Sequence, residues 1–232
     1  MSQTLALIAD EVRSCTNCRL HEGTNSGVPG EGNPTAEILF VGEGPGFHED
    51  QQGRPFVGPA GKLLNEMLER AGLKREDVFI TNIVKHRPPG NRDPLPDEIA
   101  ACGLYLERQI AEIKPVLIVT LGRFSMATFF GPQARITQMH GKLRKWRTIA
   151  AYACFHPAAA LRQPKYREGL EQDFDALPRA LEAARKLAAE RANAPAGSPD
   201  SPDLEGSSVT NPAAPAGSTP PATPGPGQMT LL

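Results

Sequence analysis

With 232 residues, 40% hydrophobic and 22% charged, the chain can bury one substantial core, and a single α/β domain with a further segment is the expectation. A formal net charge of −1 excludes a uniformly basic nucleic-acid binder. No apolar stretch approaches the ~20 residues that span a bilayer, and MSQTLALIADEVRSC lacks a basic start and a cleavage site, so a cytoplasmic protein is expected.

Leu5, Leu7, Ile8 and Val12 fit a short amphipathic helix that ends at Cys15-Thr-Asn-Cys18. Without a secretion signal, the four cysteines favour a metal or cluster over disulfides. Arg19–Thr35, rich in Gly, Asn and Pro, reads as an extended loop. A strand over about Glu37–Gly42 leads into Gly42–Gly61, GEGPGFHEDQQGRPFVGPAG, and a helix over Gly61–Ala71 leads out. Val78–Asn82 is a second strand; Pro88, Pro89, Pro94 and Pro96 force a loop before a helix at Asp97–Ile113. The continuous apolar run Val116–Leu121 is a buried strand, and Phe124–Phe130 a short helix stopped by Gly131-Pro132. Arg147–Phe155 supplies the last strand, and Glu168–Arg191 a closing amphipathic helix.

This alternation predicts a single domain over residues 1–191, three-layered α/β/α around a mainly parallel four-stranded sheet. Residues 192–232 are dominated by Pro, Ala, Gly, Ser and Thr and read as a disordered tail. No Lys or Arg follows Arg191, whereas Asp200, Asp203 and Glu205 do, so without the tail the charge moves from −1 to +2. A weakly basic body accommodates a localised nucleic-acid patch.

Strand, glycine-rich loop and helix start together form the layout of a ligand site at the carboxyl edge of an α/β sheet. The glycines match neither GxxxxGK[ST] nor GxGxxG. Glu43, Glu49, Asp50 and the ring of Phe56 suit a planar heterocycle better than a phosphate chain.

GEGPG, ED, GRPFVGPAGKLL, TNIVKHRPP and FHPAAALR resemble the family 4 uracil-DNA glycosylases, which carry an iron–sulfur cluster, over roughly residues 11–185. The resemblance implies removal of uracil from DNA to begin base excision repair. It places a [4Fe–4S] cluster on Cys15, Cys18, His86 and Cys102, with His86 standing where the family has cysteine. It implies that Phe56 stacks on the flipped base, that Asn82 reads its edge, and that His156 stabilises the leaving group at O2. Glu43 would position water or stabilise the sugar cation, with Gly44 beside it and Glu49 crowding the C5 side. Leu161 would wedge into the duplex and Arg162 contact phosphate. Cys154 reads as a core residue, and His140, Lys142, Arg144 and Lys145 form a second basic cluster.

An X-type branch of the same superfamily, which crosslinks to the uracil site through a histidine in a basic insert, shares the VKH; here Arg87–Glu98 holds no histidine, which favours turnover. The terminal Gln228-Met229-Thr230-Leu231-Leu232 resembles peptides that dock into the bacterial sliding clamp. A monomer acting on uracil-containing DNA is expected.

Overall fold

The computed structural model describes residues 2–193; the remainder of the expected tail and its peptide 228–232 lie outside the described residues. The elements run α1 (Gln3–Arg13), β1 (Glu31–Gly32), β2 (Ile38–Gly42), α2 (Phe47–Gln52), α3 (Pro59–Arg70), β3 (Phe79–Asn82), α4 (Pro96–Ile113) and β4 (Leu117–Leu121). They continue with α5 (Arg123–Phe130), α6 (Ile136–Met139), β5 (Leu143–Trp146), β6 (Ile149–Cys154), α7 (Pro157–Arg162) and α8 (Pro164–Ala192).

The sheet has six strands in the order β1-β3-β2-β4-β6-β5. Its inner four, β3-β2-β4-β6, are parallel, as their continuous apolar runs require when helices cover both faces. The two edge strands are antiparallel and correct the expected count of four. β1 is two residues long inside a Gly/Pro-rich stretch, and β5 (LRKW) has no fully buried residue, so neither carries a core-strand signature. Arg147 turns this β5–β6 hairpin with a positive φ of 49°, so the strand expected over Arg147–Phe155 starts at Ile149, and β5 precedes it.

Side-chain alternation sends Phe40, Ile80, Val119 and Tyr152 to one face, against α3 and α8, and Leu39, Phe79, Ile118 and Ala151 to the other. Cys154 is fully buried in the first of these clusters. α3 starts with Gly58 as its cap and Pro59 at the first helical position, where the missing N–H is harmless. α8 begins at Pro164 by the same device, four residues earlier than its apolar pattern suggests. Among the described residues no helix is long and apolar enough to cross a membrane.

Candidate active site

A cleft of about 490 Å³ opens where the four parallel strands end. Glu43 follows β2, Asn82 ends β3, Gly122 follows β4 and His156 lies just beyond β6, and all four line it. The order β3-β2-β4-β6 reverses direction beside β2, the position at which open α/β sheets leave a crevice for a ligand. Gly44, Glu49, Phe56 and Arg162 line the same cleft.

Phe56 and Asn82 converge because Gly42 has no side chain: a Cβ there would lie 2.4 Å from Asn82 Oδ1 and 2.6 Å from Phe56 Cζ. Phe56 itself adopts a left-handed φ of 51°, a strained conformation for a non-glycine residue, with its carbonyl wedged against Gly61. Its ring lies 5.7 Å from that of His156, 29° from coplanar. Among the described residues, Asn82 Oδ1 is the one buried side-chain polar atom without a hydrogen-bond partner. Such an atom carries the full cost of desolvation until a donor arrives.

His156 caps α7, its Nδ1 accepting the Ala158 N–H at 3.0 Å. The ring proton is therefore on Nε2. Burial, then the nearby Arg162 charge, holds the imidazole pKa down to about 4, so it is neutral at physiological pH. Glu43 lies at the start of α5, where Oε1 accepts the Phe124 N–H at 3.0 Å. Burial pushes its pKa upward, opposed by that amide and by the Arg123 charge. Gly122, at φ +97°, must lack a Cβ because one would lie 2.5 Å from Glu43 Oε1 and 3.1 Å from His156 Cβ.

The two other acids of the loop are engaged with backbone. Glu49 accepts from Val57 N and Gly58 N at 2.9 Å each and from Gly46 N at 3.1 Å, which folds the loop around the cleft. Asp50 accepts from Asn25 N at 3.0 Å and from Asn25 Nδ2 at 2.9 Å. Leu161 is exposed on α7, next to Arg162. Of the second basic cluster, His140 pairs with buried Asp173 and Arg144 donates to the Phe130 carbonyl.

Arg123 and Asp93 also line the cleft and form an ion pair, and neither is singled out by sequence reasoning. Arg123 could have been found by the strand-end rule, since it lies two residues beyond β4. Lys85 and Asp173 are buried behind the cleft. Lys85 Nζ donates to Thr81 Oγ1 at 2.6 Å and to Asn82 O and Gln109 Oε1 at 2.8 Å each. Asp173 Oδ2 accepts the Phe155 N–H at 3.1 Å.

On the other sheet face, Cys102 is buried in an apolar cluster against which the half-buried Cys15 and Cys18 pack, and the three feel each other's charge. Cys102 Sγ accepts the Lys85 N–H at 3.2 Å, and Cys15 Sγ the Asn17 N–H at 3.5 Å. Burial pushes the Cys102 thiol up to about 11. His86 is buried one residue from Lys85; burial, then the His21 charge, lowers its pKa, while Asp50 opposes. Among the described residues no three His, Cys, Asp or Glu side chains converge on the position of a single ion. A four-iron cluster makes a different demand, because it holds its ligands apart at separate corners. Cys15 and Cys18 from one turn and Cys102 from α4 supply thiol donors of the kind such a cluster takes, two of them already accepting amide N–H bonds.

The family described as the uracil DNA glycosylase superfamily matches residues 29–181. A type-4 uracil-DNA glycosylase of Saccharolobus solfataricus is 51% identical over 186 residues, covering 76% of this chain and 86% of that protein. One from Sulfurisphaera tokodaii is 52% identical over 74% of this chain and 82% of its own length. A third, from Archaeoglobus fulgidus, is 48% identical over 74% of this chain and 90% of its own length.

Proposed function

The chain belongs to the uracil DNA glycosylase superfamily, and within it to the type-4 uracil-DNA glycosylases, and we propose that it flips uracil out of DNA and hydrolyses the N-glycosidic bond, leaving an abasic site. The observation that carries this reading is the unpaired, buried Asn82 Oδ1. It can accept uracil N3–H while the same amide donates to O4. Cytosine presents the reverse pattern at both atoms and leaves the buried groups mispaired.

Phe56 supplies the face on which the extruded ring stacks. His156 donates its Nε2–H to uracil O2. As the C1′–N1 bond breaks, its electron pair departs with N1 and delocalises toward O2, so this hydrogen bond strengthens in the transition state. A neutral imidazole does this without transferring its proton. Water adds to C1′ and releases a proton to solvent, matched by the one that the uracil anion takes up on release. Glu43, fixed at the helix start, positions that water and stabilises the positive sugar. Glu49 acts on specificity through the loop it fixes, with Gly44 allowing the base close to the backbone. Leu161 fills the vacated stack, and Arg162 faces the phosphates.

Cys15, Cys18 and Cys102, with His86 as the fourth ligand, would hold a [4Fe–4S] cluster. When bound, it ties the amino-terminal turn, the segment after β3 and α4 into one surface. Docking of Gln228–Leu232 on the sliding clamp is a further proposal, resting on residues outside the described ones. Truncation after Gly227 would then abolish clamp binding and spare uracil release.

The deciding experiment is one gel with an end-labelled oligonucleotide containing a single uracil. Alkali cleavage at the uracil, with no SDS-resistant band, is expected. A stable SDS-resistant shift would mean a covalent trap, and an intact strand would refute the activity. Protein prepared anaerobically should carry about four irons per chain; iron-free protein would sink the cluster.

A further inference from the structure

Phe47 opens α2 directly after cleft-lining Gly46, and 52% of it is exposed. The other exposed large apolar side chains among the described residues are all leucines, so Phe47 is the one aromatic ring presented to solvent in this way. Hydrophobic burial would favour covering such a ring.

The ring is nevertheless held in place. The Arg87 guanidinium carbon lies 5.2 Å from its centroid. Arg87 Nε in turn donates to Asn91 Oδ1 at 2.7 Å, and Asn91 lines the cleft. The His48 ring meets Phe47 edge-on at 5.6 Å. A cation thus backs the ring and ties it to the cleft rim, and about half of the residue stays exposed. Arg162 lines the same cleft, so aromatic surface and positive charge are offered together, the pairing that suits a strand with bases and phosphates.

We propose that Phe47, backed by Arg87, is a stacking subsite for a nucleobase that flanks the extruded uracil. The subsite rests on the base-extrusion reading above. Extruding a nucleotide removes a stacking partner from each of its neighbours, and an aromatic plane beside the cleft replaces one of them. Leu161 is aliphatic and cannot supply this replacement. The occupant is a base and not the sugar–phosphate chain, because the exposed aromatic face itself offers a phosphate no hydrogen-bond donor, and Arg87 Nε is already engaged by Asn91.

The test uses two single-stranded oligonucleotides, with uracil flanked by adenines or by abasic spacers. Wild-type enzyme should show KM about tenfold lower on the adenine-flanked strand, within the range for one base stacked on an aromatic ring. Phe47→Ala should raise KM on that strand to the spacer level with little change in kcat, and Phe47→Trp should restore it. Equal losses on both strands, or no loss on either, would overturn the subsite. Kd values from fluorescence anisotropy on the same strands read the subsite separately. A wild-type enzyme that binds adenine-flanked strands better but releases no uracil would refute the activity and retain the subsite. Equal binding by wild type and Phe47→Ala would refute the subsite, whatever the activity.

Discussion

A buried cation supports the wall of the cleft that carries Asn82, and a buried anion supports the wall that carries His156. Lys85 is fully buried and satisfied by three neutral oxygens, one of them the Asn82 carbonyl; burial lowers its pKa to about 8, opposed by Cys102. Asp173 is 1% exposed; it holds the Phe155 amide, one residue before His156, and shares its other oxygen with His140 at 2.9 Å. The ammonium of the first ion is hydrogen-bonded by neutral oxygens alone, with the Cys102 thiol nearby. The second is connected to a partly exposed histidine. The wall that carries Asn82 is therefore held away from the surface, and the wall that carries His156 is hydrogen-bonded to a residue that reaches it.

The largest effect should separate the chemical roles of the two walls. With the proposed roles, His156→Ala removes the donor to the departing base and should lower kcat by about 10²–10³, the loss typical of one oxyanion donor. Asn82→Ala should lower kcat/KM by about 10–100-fold, as for a buried hydrogen-bonded pair, and should also reduce discrimination between uracil and cytosine. Single-turnover release from uracil and cytosine strands measures both. If His156→Ala relaxed specificity while Asn82→Ala altered only kcat, the assignment of the walls would be reversed.

An intermediate effect should appear in stability against pH. His156 has a folded pKa of about 4 against an ordinary 6.5. Its contribution is fully present above 6.5 and is lost as pH falls toward 4, up to about 3 kcal/mol. Asp173 has the opposite sign. Burial raises its pKa from 3.8 to about 6, against the His140 and Phe155 hydrogen bonds, so the folded state binds its proton more tightly. That contribution is present at low pH and is lost as pH rises through 6. The two walls thus partly cancel between pH 4 and 6.5. Urea unfolding of Asp173→Asn across this range should show a steeper loss on acidification than wild type. Parallel curves would remove Asp173 from the balance.

The same two walls show what could be read from the residues. β2, β3, β4 and β6 were visible because each is a run of buried apolar side chains, and Glu43, Asn82 and His156 because they follow those runs inside distinctive motifs. Lys85 follows the apolar Ile83-Val84 and reads as the first solvated residue after a strand; that it is fully buried depends on Gln109 and Thr81, brought to it by the fold. Asp173 lies on an amphipathic helix among acids and bases, and nothing local distinguishes it from exposed Asp175, which pairs with Arg70. α2 was hidden within a glycine-rich loop, where six residues are too few for a helical period to register. Sequence reports the groups that meet the ligand through motif and strand end. The ions that hold those groups depend on tertiary contacts between distant segments.

The smallest expected effect tests whether Asp173 positions His156 or merely fills space. Asparagine can still accept the Phe155 N–H through its carbonyl oxygen and donate to a neutral His140 Nδ1, so Asp173→Asn should keep kcat within a few-fold of wild type. Asp173→Ala leaves the Phe155 amide without its acceptor, which costs about 1–3 kcal/mol of stability. It should also loosen the strand end that presents His156, lowering kcat roughly tenfold with KM nearly unchanged, because ground-state binding rests on the Asn82 and Phe56 side. A purely structural residue would behave differently: both variants would lose stability in proportion to their lost contacts, and kcat of the folded fraction would be unchanged. The split between Asn and Ala in kcat, measured on folded protein, therefore determines whether the anion acts on the chemistry through His156.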